Sequence, residues 1–334
     1  MDAAENRRID ARVETLYQRQ LAVEPAGTPS FYRSDQGYHA YEQAGEERDA
    51  FGICIADRDG GLHVAGDHDR LFALQSISKV FAYCLALNDW GFDHVSTRVG
   101  VEPSGDAFNS IMLDERDQRP HNPMVNAGAI VTSDLVRGKD AAEKIERIVE
   151  VMRVFADNDS LGVDQVTFDG EWASADRNRA IAYLMRSYGF LTGDVDEALR
   201  VYLQQCSVLV TCDDLAMMAA TLAHNGVNPR TGLRHLPNLR VRDVLSVMFT
   251  CGMYDFAGEW AFDVGVPAKS GVSGGILAAV PGKGGMGTFS PGLDPFGNSI
   301  RGVRVCEAVS QQRGLHVFAG VEEDTLLGPS AQAV

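Results

Sequence analysis

Several marks of specialised chains are missing from these 334 residues. No stretch approaches the roughly 18 uninterrupted apolar residues that a membrane helix needs, and the opening residues, Met1 to Arg8, hold no apolar core of a secretion signal. A cytoplasmic protein with no membrane partner is the expectation. The six cysteines (Cys54, Cys84, Cys206, Cys212, Cys251, Cys306) include no C-x-x-C pair and join no histidine at zinc-ligand spacing. The eight histidines form no H-E-x-x-H, and no acidic calcium loop occurs. Free buried thiols, no metal and no cofactor are expected. Positive charge is scarce: 30 basic against 46 acidic residues leave a net charge of -16, which argues against nucleic acid as a partner. Lysine is rarer still, with only Lys79, Lys139, Lys144, Lys269 and Lys283. A lysine in a distinctive setting is therefore poorly explained as general surface charge.

What is present is ordinary globular material, 45% hydrophobic and 23% charged. The length suits two structural units, or one large unit carrying an insertion. Residues 5–21 predict an amphipathic helix. Residues 51–56 and 62–66 predict strands joined by the Asp59-Gly60 turn, hence an antiparallel pair. Residues 75–89 predict a helix apolar on nearly every face, which belongs in the interior. Helical spacing then recurs at 123–137, 141–156, 176–188, 195–205 and 212–225. Strand signals return at 262–267, 273–280 and 285–290, followed by a helix at 299–313 and a strand at 315–319. This order predicts an α+β fold, with an antiparallel sheet built from both ends of the chain and flanked by helices, and an all-helical domain inserted between its strands. The expected division is an N-terminal helix at 1–21, a sheet domain from 22–100 and 255–320, a helical domain at 101–254 and a tail at 321–334.

Two short patterns carry chemistry. Gln75-Ser76-Ile77-Ser78-Lys79 is an S-x-x-K at the start of the predicted buried helix. Three residues are nearly one helical turn, so the Ser76 hydroxyl and the Lys79 amine point the same way. Lysine activates serine only when its amine is neutral, and an apolar surround pushes its pKa down. An N-cap serine beside a solvated lysine would show the same pattern, but the residues that follow, Val80 to Leu87, contain no charge. The second pattern, Pro267-Ala268-Lys269-Ser270-Gly271-Val272, is a K-S-G leading into a strand, the companion of S-x-x-K in serine β-lactamases and penicillin-binding proteins. A backbone N–H from that strand can join the serine's own N–H as an oxyanion hole, with Lys269 adding positive field. Gly282-Lys283-Gly284-Gly285-Met286-Gly287 spells a dinucleotide fingerprint, but strand and turn residues follow it where a helix is needed.

Further blocks make the likeness specific. They are Glu102-Pro103-Ser104-Gly105 with Phe108-Asn109, His121-Asn122-Pro123-Met124-Val125-Asn126-Ala127-Gly128, Asp176-Arg177-Asn178, Cys206-Ser207, and Cys251-Gly252-Met253-Tyr254-Asp255-Phe256. In this order, over about two thirds of the chain, they resemble the serine-dependent glutaminases, which have a β-lactamase-like fold and hydrolyse L-glutamine to L-glutamate and ammonia without a cofactor. The resemblance implies Ser76 as nucleophile, Lys79 as its base, Tyr254 as the phenol that relays protons, and the N–H groups of Ser76 and Val272 as oxyanion hole. It implies Asn126, Glu171, Asn178 and Tyr202 as the amino-acid clamp, with Lys269 in support. Asn122-Pro123 reads as a helix cap followed by proline in the first turn, which sets Asn126 near a helix N-terminus, where a carboxylate is favoured. The family carries a further active-site tyrosine in a Tyr-Ile-Pro-x-Leu-Ala segment, and here the chain departs, with Gly37-Tyr38-His39-Ala40-Tyr41-Glu42 instead. Ungapped counting from Ser76 falls on His39, a register shift brings Tyr38 or Tyr41, and Tyr38 is taken as the substrate-binding residue. The competing readings are a β-lactamase-like hydrolase and a catalytically silent amino-acid-binding protein of the same fold. A homo-oligomer, dimer or tetramer, is expected, since most soluble enzymes of this size form symmetric assemblies.

Overall fold

Asp57 closes the first hairpin: its carboxylate accepts the N–H groups of Asp59 at 2.7 Å and Gly61 at 2.9 Å, between strands β1 (Gly52–Ala56) and β2 (Leu62–Gly66). In the computed structural model, which describes residues 3–23, 49–105, 113–114 and 116–319, this hairpin forms one edge of a five-stranded antiparallel sheet. A short strand β3 (Phe72–Ala73) pairs with β4 (Leu209–Val210) apart from it. The remaining strands are β5 (Ala268–Ser270), β6 (Gly275–Val280) and β7 (Gly284–Phe289), and the order across the sheet is β2-β1-β7-β6-β5. Strand β1 pairs with β7, so the sheet is assembled from both ends of the chain, as the order of elements predicts.

The glycines of β7 explain what covers the sheet. Side chains alternate along a strand, and Gly285 and Gly287 share a face with Phe289. A Cβ on Gly287 would stand 2.2 Å from the Cys212 carbonyl, and one on Gly285 would stand 2.3 Å from the Ala216 carbonyl. The helix Cys212–Ala223 therefore lies directly on the strand backbone, capped at its start by a reciprocal box between Thr211 and Asp214. The literal dinucleotide fingerprint is thus a glycine face that admits a helix. On the other face Met286 joins Phe51, Ile53, Trp260 and Val305, packed beneath the N-terminal helix Ala3–Leu21 and the last helix Ile300–Arg313. The helix Lys79–Trp90 is buried from Lys79 to Leu87, as its uniformly apolar sequence requires.

Several expectations need correction. Residues 262–267 are not a strand. The buried positions are Ala257, Trp260 and Val264, at helical rather than alternating spacing, and the chain forms the helix Ala257–Asp263. Gly265, at φ +65°, turns it into β5. Residues 315–319 form turns after the Gly314 cap, touching the neighbouring loop through the Val317 N–H to the Gly265 carbonyl at 2.9 Å. The helices Phe92–Val95, Gln165–Ala173 and Val241–Cys251 lie outside the expected ones; the last buries Val241, Val244, Val247, Met248 and Cys251, a legible three-and-four spacing. The helix expected at 123–137 begins later, as Asn126–Leu135.

Gly287→Ala should lower stability by about 1–3 kcal/mol, because the added methyl forces strand and helix apart. Urea unfolding measures this, and an unchanged midpoint would mean that the close approach is not needed.

Candidate active site

Local geometry delivers Ser76 in three steps. The Leu74 N–H donates to the Val208 carbonyl at 2.8 Å, anchoring the chain beside β4. Gln75 then takes φ +50°, a left-handed conformation that is costly for a residue with a side chain. A tight turn, Gln75–Ser78, presents Ser76 before the helix proper begins at Lys79. Both are buried, Lys79 completely. The Lys79 amine donates to Asn126 Oδ1 at 2.7 Å and to the Met124 carbonyl at 3.2 Å. Burial in this apolar surround brings its pKa down to about 8, a shift that the field of the Cys206 thiol slightly opposes. The N-cap serine with a solvated lysine is therefore not what the chain forms.

Tyr254 reaches the same place from the opposite end of the sequence. Gly252 has no room for a side chain, since a Cβ would stand 1.8 Å from the Ala268 carbonyl. Two residues on, Tyr254 adopts φ +56°. Its hydroxyl donates to the Ser270 carbonyl at 3.0 Å and is hydrogen-bonded to Ser76. With the phenol proton directed at Ser270, the phenol oxygen is the acceptor for the Ser76 hydroxyl. Burial raises the Tyr254 pKa, and the bond to Ser76 works against that rise. Lys269, wholly buried, lies 4.2 Å from the Tyr254 ring centroid and donates to the Ser270 carbonyl at 2.5 Å. Burial, then the charge of Lys79, holds its amine well below the ordinary lysine range. Lys269 therefore stands beside the phenol with its tendency to carry charge reduced.

Val272 sits in the turn after β5, where the Gly274 N–H donates to the Gly271 carbonyl at 2.9 Å. Gly271 lets this turn approach the serine, because a Cβ there would stand 3.0 Å from the Leu74 carbonyl. The residues expected to form the clamp come from four helices. Asn126 is the first residue of its helix, and Asn122 caps the preceding turn rather than the helix, accepting from the Met124 and Val125 N–H groups. The Asn126 Nδ2 group donates to Asn178 Oδ1 at 3.0 Å. Glu171 accepts from Gln75 Nε2 at 3.0 Å. Tyr202 is buried with its ring centroid 5.9 Å from the Lys79 amine, and burial raises its phenol well above the usual range.

Ser76, Tyr254 and Lys269 thus form one connected group, while Lys79, Asn126 and Asn178 form another. Tyr38 lies outside the described residues. Sequence reasoning passed over Gln75, the Met124 carbonyl and Cys206. Gln75 adjoins the nucleophile and Cys206 lies four residues from Tyr202, and those spacings were the available signals. A cavity of about 320 Å³ adjoins Tyr254 and is lined also by Asn122, Met124 and Val125. A larger acidic cleft of about 650 Å³, lined by Asp157, Asp164, Asp213 and Asp214, contains none of these residues. Among the described residues no group of three or more His, Cys, Asp or Glu could hold a metal ion, and no helix is long and apolar enough to cross a membrane.

Known proteins are similar to this chain in sequence and in fold. The family model described as Glutaminase matches residues 42–318. A glutaminase of Trichormus variabilis is 56% identical over 274 residues, covering 82% of this chain and 82% of that protein. One from Clostridium tetani is 47% identical over 274 residues, covering 81% and 90%. Among solved structures, the probable glutaminase ybaS superposes with a TM-score of 0.88 at 38% identity, covering 96% of this chain and all of that one. The Bacillus subtilis probable glutaminase gives 0.81 at 35% identity, covering 92% and 97%. The fold is the β-lactamase-like one of these neighbours. By sequence and by structure, the chain belongs to the glutaminase family.

Proposed function

We propose that this enzyme hydrolyses the side-chain amide of L-glutamine to L-glutamate and ammonia through an acyl-enzyme on Ser76. The observation that carries the reading is the setting of the Lys79 amine. A neutral amine has two N–H donors and one lone pair. The Lys79 amine is wholly buried and donates to two neutral oxygens, Asn126 Oδ1 and the Met124 carbonyl, and in its neutral form it is the base for the proton of Ser76, one helical turn earlier.

Lys79 takes the hydroxyl proton as Ser76 Oγ bonds to the carboxamide carbon. The N–H groups of Ser76 and Val272 hold the oxyanion of the tetrahedral intermediate. The C–N bond then breaks, and the leaving nitrogen receives its proton through Tyr254, which Lys79 reprotonates. Water adds to the ester by the same route in reverse, the bond to Ser76 Oγ breaks, and glutamate departs. Glu171 pairs with the substrate ammonium. Asn126, Asn178 and Tyr202 direct donors to its α-carboxylate, and Tyr38 contributes from the N-terminal side. Lys269, beside the phenol ring, tunes Tyr254.

Ser76→Ala should lower kcat for ammonia release from L-glutamine by about 10³–10⁶. Activity equal to the parent protein would remove the covalent mechanism. Because the unprotonated amine is the working form, kcat/KM should rise with pH and reach half its maximum near the Lys79 pKa of about 8. A profile flat from pH 6 to pH 9 would exclude Lys79 as the base.

A further inference from the structure

The helix that carries Glu171 is poorly anchored by burial. Gln165–Ala173 has nine residues and buries Phe168 alone. By contrast, the helices Asp176–Ser187 and Val195–Cys206, which carry Asn178 and Tyr202, sink Ile181, Ala182 and Met185, and Ala198, Leu199 and Leu203, into one apolar cluster. A carboxylate that is to meet a substrate ammonium needs a fixed place. Something besides burial must therefore hold this helix.

Trp172, the residue after Glu171, supplies the hold. Its half-buried indole packs beside Phe168, with ring centroids 5.9 Å apart. The Arg200 guanidinium lies over the indole at 4.7 Å from the centroid and over the Phe168 ring at 5.8 Å, and the Arg179 guanidinium lies over the indole at 5.0 Å. A cation within about 6 Å of a tryptophan ring face is attracted by the ring's quadrupole. Arg179 Nη2 also donates to the Trp172 carbonyl at 2.6 Å, at the C-terminal end of the helix, where carbonyls lack partners within the helix and a cation suits the dipole. Arg179 directly follows Asn178, and Arg200 precedes Tyr202 by two residues. The three helices that carry Glu171, Asn178 and Tyr202 are thus joined at one indole. Consecutive helical residues point about 100° apart, so fixing Trp172 against the two guanidiniums also fixes the direction in which Glu171 leaves the helix.

We propose that Trp172 is a positioning residue: held by Arg179 and Arg200, its indole sets the helix Gln165–Ala173 against the helices of Asn178 and Tyr202, so that the Glu171 carboxylate stands where the α-ammonium of the substrate arrives. Trp172 takes part in no bond-making step. The proposal rests on Glu171 as the partner of that ammonium and is independent of the identity of the nucleophile.

The test is steady-state kinetics of the full chain on L-glutamine and on glutaramate, the same amide without the α-amino group. Trp172→Leu keeps apolar bulk and removes the ring face. It should raise KM for glutamine about fivefold, the order of one cation–π contact, with kcat unchanged, because the ammonium is held equally before and during reaction. For glutaramate, kcat/KM should be the same in Trp172→Leu and the parent; if turnover is too slow to follow, its inhibition constant against glutamine should be the same instead. Arg200→Met, which alters an exposed residue and leaves Trp172 in place, should raise KM for glutamine in the same direction by a smaller factor. In a chain already carrying Glu171→Gln, Trp172→Leu should add nothing. An unchanged glutamine KM in either Trp172→Leu or Arg200→Met, equal losses on both amides, or an undiminished effect beside Glu171→Gln would overturn the proposal. If Glu171→Gln alone leaves the glutamine KM unchanged, the ammonium reading fails and the proposal falls with it; if it raises KM while Trp172→Leu does not, the proposal alone fails.

Discussion

A lysine amine sealed away from water, with acceptors for two N–H bonds, is the constraint on which the site depends. Full burial of a charged ammonium is costly, and the Lys79 amine donates to two neutral oxygens, the Met124 carbonyl and Asn126 Oδ1. Neutral oxygens satisfy a neutral amine well and a cation less well. The same interior holds Lys269, also without exposure, and burial together with the charge of Lys79 lowers its tendency to be charged. Two of the five lysines in a chain of net charge -16 are thus spent where charge is least welcome. Such a setting favours the uncharged form of an amine.

The fold supplies this environment through a few close approaches. Gly285 and Gly287 let the helix Cys212–Ala223 lie on the sheet, and Gly252 lets the segment bearing Tyr254 press against β5. Gly271 brings the Val272 turn onto Leu74, beside the nucleophile. Of the left-handed residues, Gln75 immediately precedes Ser76 in the chain and Tyr254 carries the phenol beside it. Strain concentrated at such positions persists only where the surroundings over-determine them. Here β-strand, turn and helix all converge on Ser76.

Local patterns were legible in the sequence. S-x-x-K followed by an uncharged helix already implied a desolvated lysine, and K-S-G before a strand implied a second element beside it. The hairpin turn and the pairing of strands from both chain ends were equally readable. Residues 262–267 were misread because Val264 and Val266 favour strands by composition, whereas the burial of Ala257, Trp260 and Val264 follows a helix. Asn122 was misplaced by one turn, since proline after an N-cap fits either a helix or a preceding turn. The bonds from Gln75 to Glu171, from Asn126 to Asn178 and from Cys206 to Ser78 join residues 52 to 128 positions apart, and no spacing rule reports such contacts. The lowered pKa of Lys269 was likewise hidden, because it depends on burial and on Lys79 lying nearby.

The rarity of lysine makes the central claim directly measurable. With five lysines in the chain, a protein labelled with ¹⁵N at the lysine side chain should show a resolvable Nζ resonance for Lys79, assigned by its loss in Lys79→Arg. The account predicts that this resonance titrates with a midpoint near 8 in the free enzyme. A midpoint at the ordinary lysine value of about 10.4 would contradict it.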